Sequence, residues 1–357
     1  RCLRYQGRIK RMNNSQWVLA RKPLGGLPQS DDFRFETGEL PEISVGQMLT
    51  RTIYLSLDPY QWGRRRSGAE LPGDVCHGRT VSQVVRSQLE GFEEGDFVFN
   101  TNGWQEFGLT GDGIGHFGYM FPRRLDAKVA PISTAIGVMG MLGLTAYSGL
   151  MVQCQPQPGE TVIVSAASGG VGQVACQLAK IAGCRVIGIA GNARKLEFLN
   201  DVVGVDHCVS HLSEDFEEEL RALCPEGCDV YFENVGGKVY EAVLPLLNVN
   251  SRITVCGMVS QYGNTDGKDP REAWDKQGES VFSRQRVQVH NLFVGNYVES
   301  YQEEFLSIMS DYVKDDRVVY KEDRWEGIEA APEAFGAMLT GGNFGKTIVV
   351  VSEDNSR

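Results

Sequence analysis

The segment T-V-I-V-S-A-A-S-G-G-V-G-Q-V-A at 161–175 constrains the fold of this chain more than any other. A short apolar run ends in a cluster of small residues, and an apolar helical pattern over Val171 to Ala182 begins at once. A second strand, R-V-I-G-I-A at 185–190, follows. Strands alternating with helices of this length specify a parallel, doubly wound α/β sheet. Further strands are readable at 229–233, 251–257 and 288–294, and a helix near 299–314 closes the unit. The loop reads Ala167-x-Gly169-x-x-Gly172, with Gly170 and Val171 filling the gap. Small residues there let the backbone reach a pyrophosphate, and the unsatisfied N–H groups of the helix start receive its charge. The chain holds 42 glycines in 357 residues without a collagen-like period, so the excess belongs to tight loops of this kind.

The end of the second strand selects the dinucleotide. A site that reads the free ribose hydroxyl of NAD needs a carboxylate about 20 residues beyond the loop. This chain gives Gly191, Asn192, Ala193, Arg194 and Lys195 instead. Two cations stand where a 2′-phosphate would sit, and both side chains pair well with phosphate. The expected cofactor is therefore NADPH.

The rest of the chain frames this unit. From Trp17 to about Leu125 it shows short β-like runs, among them 48–57, 80–86 and 96–99, separated by Gly-Asp and Pro-Gly turns. The tail returns to β character at 317–320 and 346–351 and is expected to rejoin that first module. Residues 1–11 carry five basic residues and no acidic one, which reads as an extension ahead of Met12. The remainder has 30 basic against 46 acidic residues, which argues against a nucleic-acid or anionic-membrane partner. Residues 135–152 are uncharged but hold four glycines and three hydroxyl residues, so a buried helical junction is expected rather than a membrane span. Nine scattered cysteines in a chain of this size point to a reducing, cytoplasmic compartment.

The arrangement resembles the medium-chain dehydrogenase/reductase superfamily from residue 12 onward. It is most similar to the zinc-independent branch of prostaglandin, leukotriene, plant alkenal and bacterial curcumin reductases. The residues carrying the match are L-S-L-D-P-Y (55–60), G-W-Q-E-F (103–107), G-L-T-A-Y-S-G-L (143–150), S-A-A-S-G-G-V-G (165–172), Y-F-E-N-V-G-G (231–237), C-G-M-V-S-Q-Y (256–262) and N-F-G-K (343–346). The resemblance implies a GroES-like β-rich domain over 12–135, a Rossmann domain over 136–314 and a C-terminal return over 315–351. It also implies a homodimer that reduces the alkene of an enone or enal with NADPH. Zinc is not expected: no cysteine lies between Cys76 and Cys154, and Cys76-His77 has no Gly-His-Glu near it.

Metal-free reduction needs the two reacting carbons held in contact and a donor where oxygen charge grows. By resemblance Tyr262 is the first candidate for that donor and Tyr60 the second. The resemblance further assigns Thr145, Asn234 and Gly257 to the cofactor, Asn343 to the loop closing over it, and His211 to its adenine-side phosphate. After D-P-Y the chain reads Gln61-Trp62-Gly63-Arg64 where the branch reads Met-Arg-Gly-Arg. An anion-reading arginine is thereby lost, and Trp62 is expected to widen an aromatic substrate wall. Quinone reduction with the same cofactor, and a cofactor-binding scaffold without turnover, are the alternative readings.

Overall fold

The computed structural model describes residues 13–115, 118–265 and 269–356. The basic segment 1–11 lies outside the described residues. The chain opens with β1 (Asn13–Leu19) and β2 (Phe33–Glu39), then β3 (Gln47–Ser56), helix α1 (Tyr60–Ser67), β4 (Thr80–Ser87), β5 (Phe97–Asn100), β6 (Phe107–Gly111) and the short β7 (Arg123–Arg124). A buried junction containing α2 (Met141–Tyr147) leads to β8 (Thr161–Val164), α3 (Gly172–Ile181), β9 (Arg185–Ala190), α4 (Ala193–Phe198) and β10 (His207–Ser210). The series continues through α5 (Phe216–Leu223), β11 (Cys228–Glu233), α6 (Gly237–Val243), β12 (Leu247–Val255), α7 (Pro270–Gln285), β13 (Gln288–Asn291) and α8 (Gly295–Lys314). The tail adds β14 (Glu322–Glu326), α9 (Ala331–Leu339) and β15 (Lys346–Val350).

Among the described residues, six strands form one wholly parallel sheet in the order β10-β9-β8-β11-β12-β13. Strand order reverses between β8 and β11, and in such sheets the crevice at the carboxyl ends of those strands receives the ligand. Both faces are covered, one by a cluster including Val162, Val164, Val174 and Phe232, the other by one including Ile163, Ile187, Tyr231 and Ile253. This explains why these strands read as continuous apolar runs rather than alternating ones.

The second sheet runs β14-β15-β3-β4-β5-β7, with β6 also on β3. Strand β15 pairs antiparallel with β3, so the last strand of the chain completes the first module. Residues 317–320, expected as a strand, are not one. Val318 is buried, and the neighbouring backbone is satisfied by side chains instead of a ladder. Val319 donates to Gln177 Oε1 at 2.7 Å and accepts from Gln177 Nε2 at 2.8 Å, while Lys321 N donates to Gln173 Oε1 at 2.7 Å. No helix among the described residues is long and apolar enough to cross a membrane; residues 135–152 instead pack between the two modules.

Candidate active site

The loop after β8 is built by steric exclusion. Ala166 adopts a left-handed conformation (φ 46°) and its carbonyl accepts from Gly169 N at 2.9 Å. A Cβ on Gly172 would lie 2.2 Å from that carbonyl oxygen, so α3 can start this close to the strand only on glycine. A Cβ on Gly170 would lie 2.4 Å from Leu142 of α2. The amides of Gly170 and Val171 have no hydrogen-bond partner among the described residues, and such donors at a helix start suit a pyrophosphate. Ala167 plays a different part, since its amide donates to Ile189 O at 2.9 Å and its methyl packs beneath Gly188. It shapes the loop rather than offering a donor.

Beneath the loop lies a carboxylate that the sequence did not single out. Glu233, fully buried at the end of β11, accepts from Ser165 Oγ, the Tyr231 hydroxyl, the Trp274 indole and the amides of Val235 and Gly236. Burial raises its pKa while these donors oppose the shift. Asn234 ties β11 to β8, its amide nitrogen donating to Ser165 O at 2.7 Å and its backbone N to Ser165 Oγ at 2.8 Å. The Asn234 side chain therefore holds the crevice in shape, and with Glu233 it fixes where the crevice opens.

At the end of β9 the expected cations come together. Asn192 caps α4 by accepting from Lys195 N, and Ser210 Oγ donates to Gly191 O. Lys195 Nζ reaches Gly341 O at 2.7 Å, and Arg194 lies 4.6 Å from the Phe344 ring centroid. His211 stands against Gly191, with Nε2 3.5 Å from where a Cβ would be. Burial, then Lys195 and Lys238, lower the His211 pKa, so Lys238 joins this electropositive corner. Burial also lowers Lys195, opposed by Asp323. The loop 341–345 covers the corner, and Asn343 shapes it by donating to Gly345 O at 2.9 Å. A 2′-phosphate fits this donor set, and the orphan amides of Gly170 and Val171 fit a pyrophosphate.

The carboxyl ends of β12 and β13 open on a cleft of about 370 Å³, lined by Cys256, Gly257, Met258, Tyr262, Asn291 and Phe293 among others. Tyr262 lies over Gly257, where a Cβ would stand 3.1 Å from the phenol oxygen. Burial and the nearby Cys256 raise the Tyr262 pKa, with the Met258 amide opposing; burial holds the Cys256 thiol up at about 12. Both groups are thus neutral near pH 7. From the other module, Arg66 of α1 donates to Tyr262 O at 2.6 Å and Asn264 O at 3.0 Å, fixing the loop that carries the phenol. Thr145 is half-buried on α2, its hydroxyl donating to Met141 O at 2.6 Å.

Tyr60 sits in a polar network that sequence reasoning missed. Its hydroxyl is 2.8 Å from His77 Nε2. Arg79 lies 5.3 Å from the Tyr60 ring centroid and pairs with Asp58 at 2.8 Å, and Lys346 pairs with the other Asp58 oxygen at 3.1 Å. Burial opposes the Asp58 charge, but Arg79 and Lys346 outweigh it and hold the carboxyl well below the usual range. Burial, followed by Arg64, Arg79 and Arg65, pushes His77 down to about 3, so it is neutral at working pH. Trp62 departs from expectation. It is fully buried in the core of the first module, 6.4 Å from Phe335 between ring centroids, with its indole donating to Gly26 O at 2.8 Å. It forms no wall of the cleft, because α1 turns it inward.

Among the described residues no group of three or more His, Cys, Asp or Glu side chains is placed to hold a metal ion. The sequence matches the family described as "Zinc-binding dehydrogenase" over residues 170–311 and that described as "N-terminal domain of oxidoreductase" over 15–115. It is 39% identical to the NADPH-dependent curcumin reductase of Escherichia coli over 97% of this chain and 99% of that protein. It is 35% identical to prostaglandin reductase 1 of Rattus norvegicus over 93% and 98%. Among solved structures, CurA of Vibrio vulnificus in complex with NADPH superposes with a TM-score of 0.86 at 38% identity, covering 95% of this chain and 100% of that one. The chain belongs to the medium-chain dehydrogenase/reductase superfamily, in the zinc-independent branch of the curcumin and prostaglandin reductases.

Proposed function

We propose that the chain is an NADPH-dependent reductase of the carbon–carbon double bond of α,β-unsaturated ketones and aldehydes. The observation that carries this reading is the neutral Tyr262 phenol in a cleft at the carboxyl end of the parallel sheet, the same end at which β8 enters the glycine loop and β9 the cationic corner suited to NADPH. When bound, the reduced nicotinamide supplies a hydride to the β-carbon. The amides of Gly170 and Val171 receive the pyrophosphate; Arg194, Lys195 and His211 hold the 2′-phosphate. Tyr262 donates to the carbonyl oxygen as enolate charge develops, and its raised pKa keeps the proton on the phenol until then. The enolate then takes one proton at its α-carbon to give the saturated product, and Tyr60, held by His77 in the first module, is the second candidate for supplying it after Tyr262.

The division into 12–135, 136–314 and 315–351 belongs to the same reading, supported by the pairing of β15 with β3. So does a homodimer in the cytoplasm, supported by the edge strand β13 and by eight free cysteines among the described residues. Light scattering on the purified protein tests the dimer.

Mixing the protein with NADPH and benzylideneacetone, and identifying the product by mass, tests the reaction. The saturated ketone is the expected product. Vigorous quinone turnover without alkene reduction would overturn the reading, and no NADPH consumption with any acceptor would leave a cofactor-binding scaffold.

A further inference from the structure

The loop that carries Tyr262 hangs from both modules. Its beginning is tied to the crevice of the parallel sheet: Val259 N donates to Asn234 O at 3.0 Å, Ser260 N to Val235 O at 3.1 Å, and Ser260 Oγ to the same carbonyl at 2.6 Å. Its end is tied to the first module. Arg66, in the last turn of α1, donates from Nη1 to Tyr262 O at 2.6 Å and from Nη2 to Asn264 O at 3.0 Å. The turn that leads there is closed by Asn264, whose N donates to Gln261 O at 3.1 Å and whose Nδ2 donates to Gln261 Oε1 at 2.8 Å. Tyr262 therefore sits where support passes from one module to the other.

Trp62 belongs to the same seat. Its indole donates to Gly26 O at 2.8 Å, and residues 25–27 form the surface against which residues 263–265 rest. Leu27 Cγ lies 3.1 Å from where a Cβ on Gly263 would stand, and Thr265 Cγ2 lies 3.7 Å from where one on Gly26 would stand. Val259 and Tyr262 pack against the first module's core cluster, of which Trp62 is a member. The tryptophan that follows D-P-Y thus shapes the bed of the donor loop, and Arg66 grips the loop itself.

The grip requires an arginine. Arg66 forms no ion pair with a carboxylate among the described residues, and both of its contacts go to carbonyls of the other module. A planar guanidinium reaches two carbonyls two residues apart, whereas an ammonium is a single point charge. One of these carbonyls is that of Tyr262 itself, so the contact fixes the Cα from which the phenol projects. The modules are joined elsewhere by Lys195 on Gly341 O and by Lys346 packed against Gly170, so loss of Arg66 releases the loop without parting them. We propose that Arg66 is a positioning residue for the reduction, acting through Tyr262, so that the donor is in place only while the first module holds it. This rests on the reductase reading above and adds a residue to it. Displacing a donor by about 1 Å weakens its contact with the developing oxygen charge, so the effect falls on turnover and not on the cofactor.

The test measures reduction of benzylideneacetone with NADPH in the wild type, Arg66→Ala, Arg66→Lys, Tyr262→Phe and the double variant Arg66→Ala/Tyr262→Phe. Arg66→Ala should lower kcat roughly 10- to 100-fold and leave the KM for NADPH within about twofold. Arg66→Lys, which keeps the charge and one contact, should fall in between. In the Tyr262→Phe background Arg66→Ala should add less than about twofold, because the donor that it positions is gone. The same loss in both backgrounds, or no loss in either, would overturn the assignment, as would loss of NADPH binding in both Arg66 variants. Amide exchange separates the positioning from the reaction. The Tyr262 and Asn264 amides should exchange roughly tenfold or more faster in Arg66→Ala than in the wild type, with β8 and β9 alike in both. If the wild type reduces no enone while this contrast holds, the reductase reading fails and Arg66 keeps its place as the holder of the loop; equal exchange overturns the positioning role.

Discussion

At the scale of single residues, the site is governed by which charges are matched inside the protein. Asp58 holds Arg79 and Lys346 together, and Lys346 is drawn down to about 8, burial outweighing its carboxylate partner. Lys195 is proposed to perform the corresponding service for the cofactor, with a half-buried side chain whose ammonium lies on Gly341 O. Replacing it, Lys195→Ala, should raise the KM for NADPH roughly 10- to 100-fold, the loss of one charge-assisted contact, and leave NADH nearly unaffected. Equal losses with both would show that the 2′-phosphate sits elsewhere. His77 carries a prediction about acid. Its folded pKa of about 3 lies below the ordinary value of 6.5, so between those values the unfolded chain binds a proton that the folded chain does not. Stability is therefore complete above the ordinary value and declines as the pH falls. Going from about pH 7 to pH 5 should cost the wild type about 2 kcal/mol more than His77→Gln, measured by urea unfolding. Parallel losses would mean that His77 takes up its proton without unfolding. Neither His77 nor Asp58 could be picked out from the sequence, because their significance lies in neighbours from distant parts of the chain: Tyr60 for one, Arg79 and Lys346 for the other.

At the scale of elements, legibility followed burial. The strands of the parallel sheet are apolar on both faces, and the loop between β8 and α3 excludes all but small side chains, so both features are written into local sequence. Trp62 and residues 317–320 were not legible in the same way. A tryptophan beside a substrate motif looks like a pocket wall until α1 turns it into the core, and an apolar R-V-V-Y looks like a strand until its partners prove to be glutamine side chains. Gln177 is buried on α3 and satisfies both backbone groups of Val319. Gln177→Leu should leave those groups unmatched and cost about 2–3 kcal/mol. Amide exchange at Val319 should rise well before exchange in β8 and β9, while Lys321, held by Gln173, should be less affected; unchanged protection at Val319 would show that Gln177 is dispensable.

At the scale of the whole molecule, two modules are stitched at separate points. Arg66 reaches across to the Tyr262 loop, Lys195 reaches across to Gly341, and Lys346 packs beneath Gly170 while its ammonium lies on Leu57 O and Asp58. The loop after β8, where the cofactor is proposed to sit, is therefore backed by a lysine that belongs to the first module's sheet. The parallel sheet is contiguous in sequence, but the mixed sheet is not. β3 needs β15, Ser352 Oγ donates to Thr52 O, and the Tyr54 hydroxyl donates to Asp354 across about 300 residues. A chain ended before β15 should keep protease protection over the six-stranded sheet while 47–56 becomes cleavable. Simultaneous loss of protection across both sheets would show that they fold as one unit. The same discontinuity sets a timetable on the ribosome. The nucleotide-binding half can take shape while the chain is still emerging, whereas the first half to be synthesised must wait for the last strand before its sheet is complete, exposing the unpaired edge of β3 to chaperones throughout that interval.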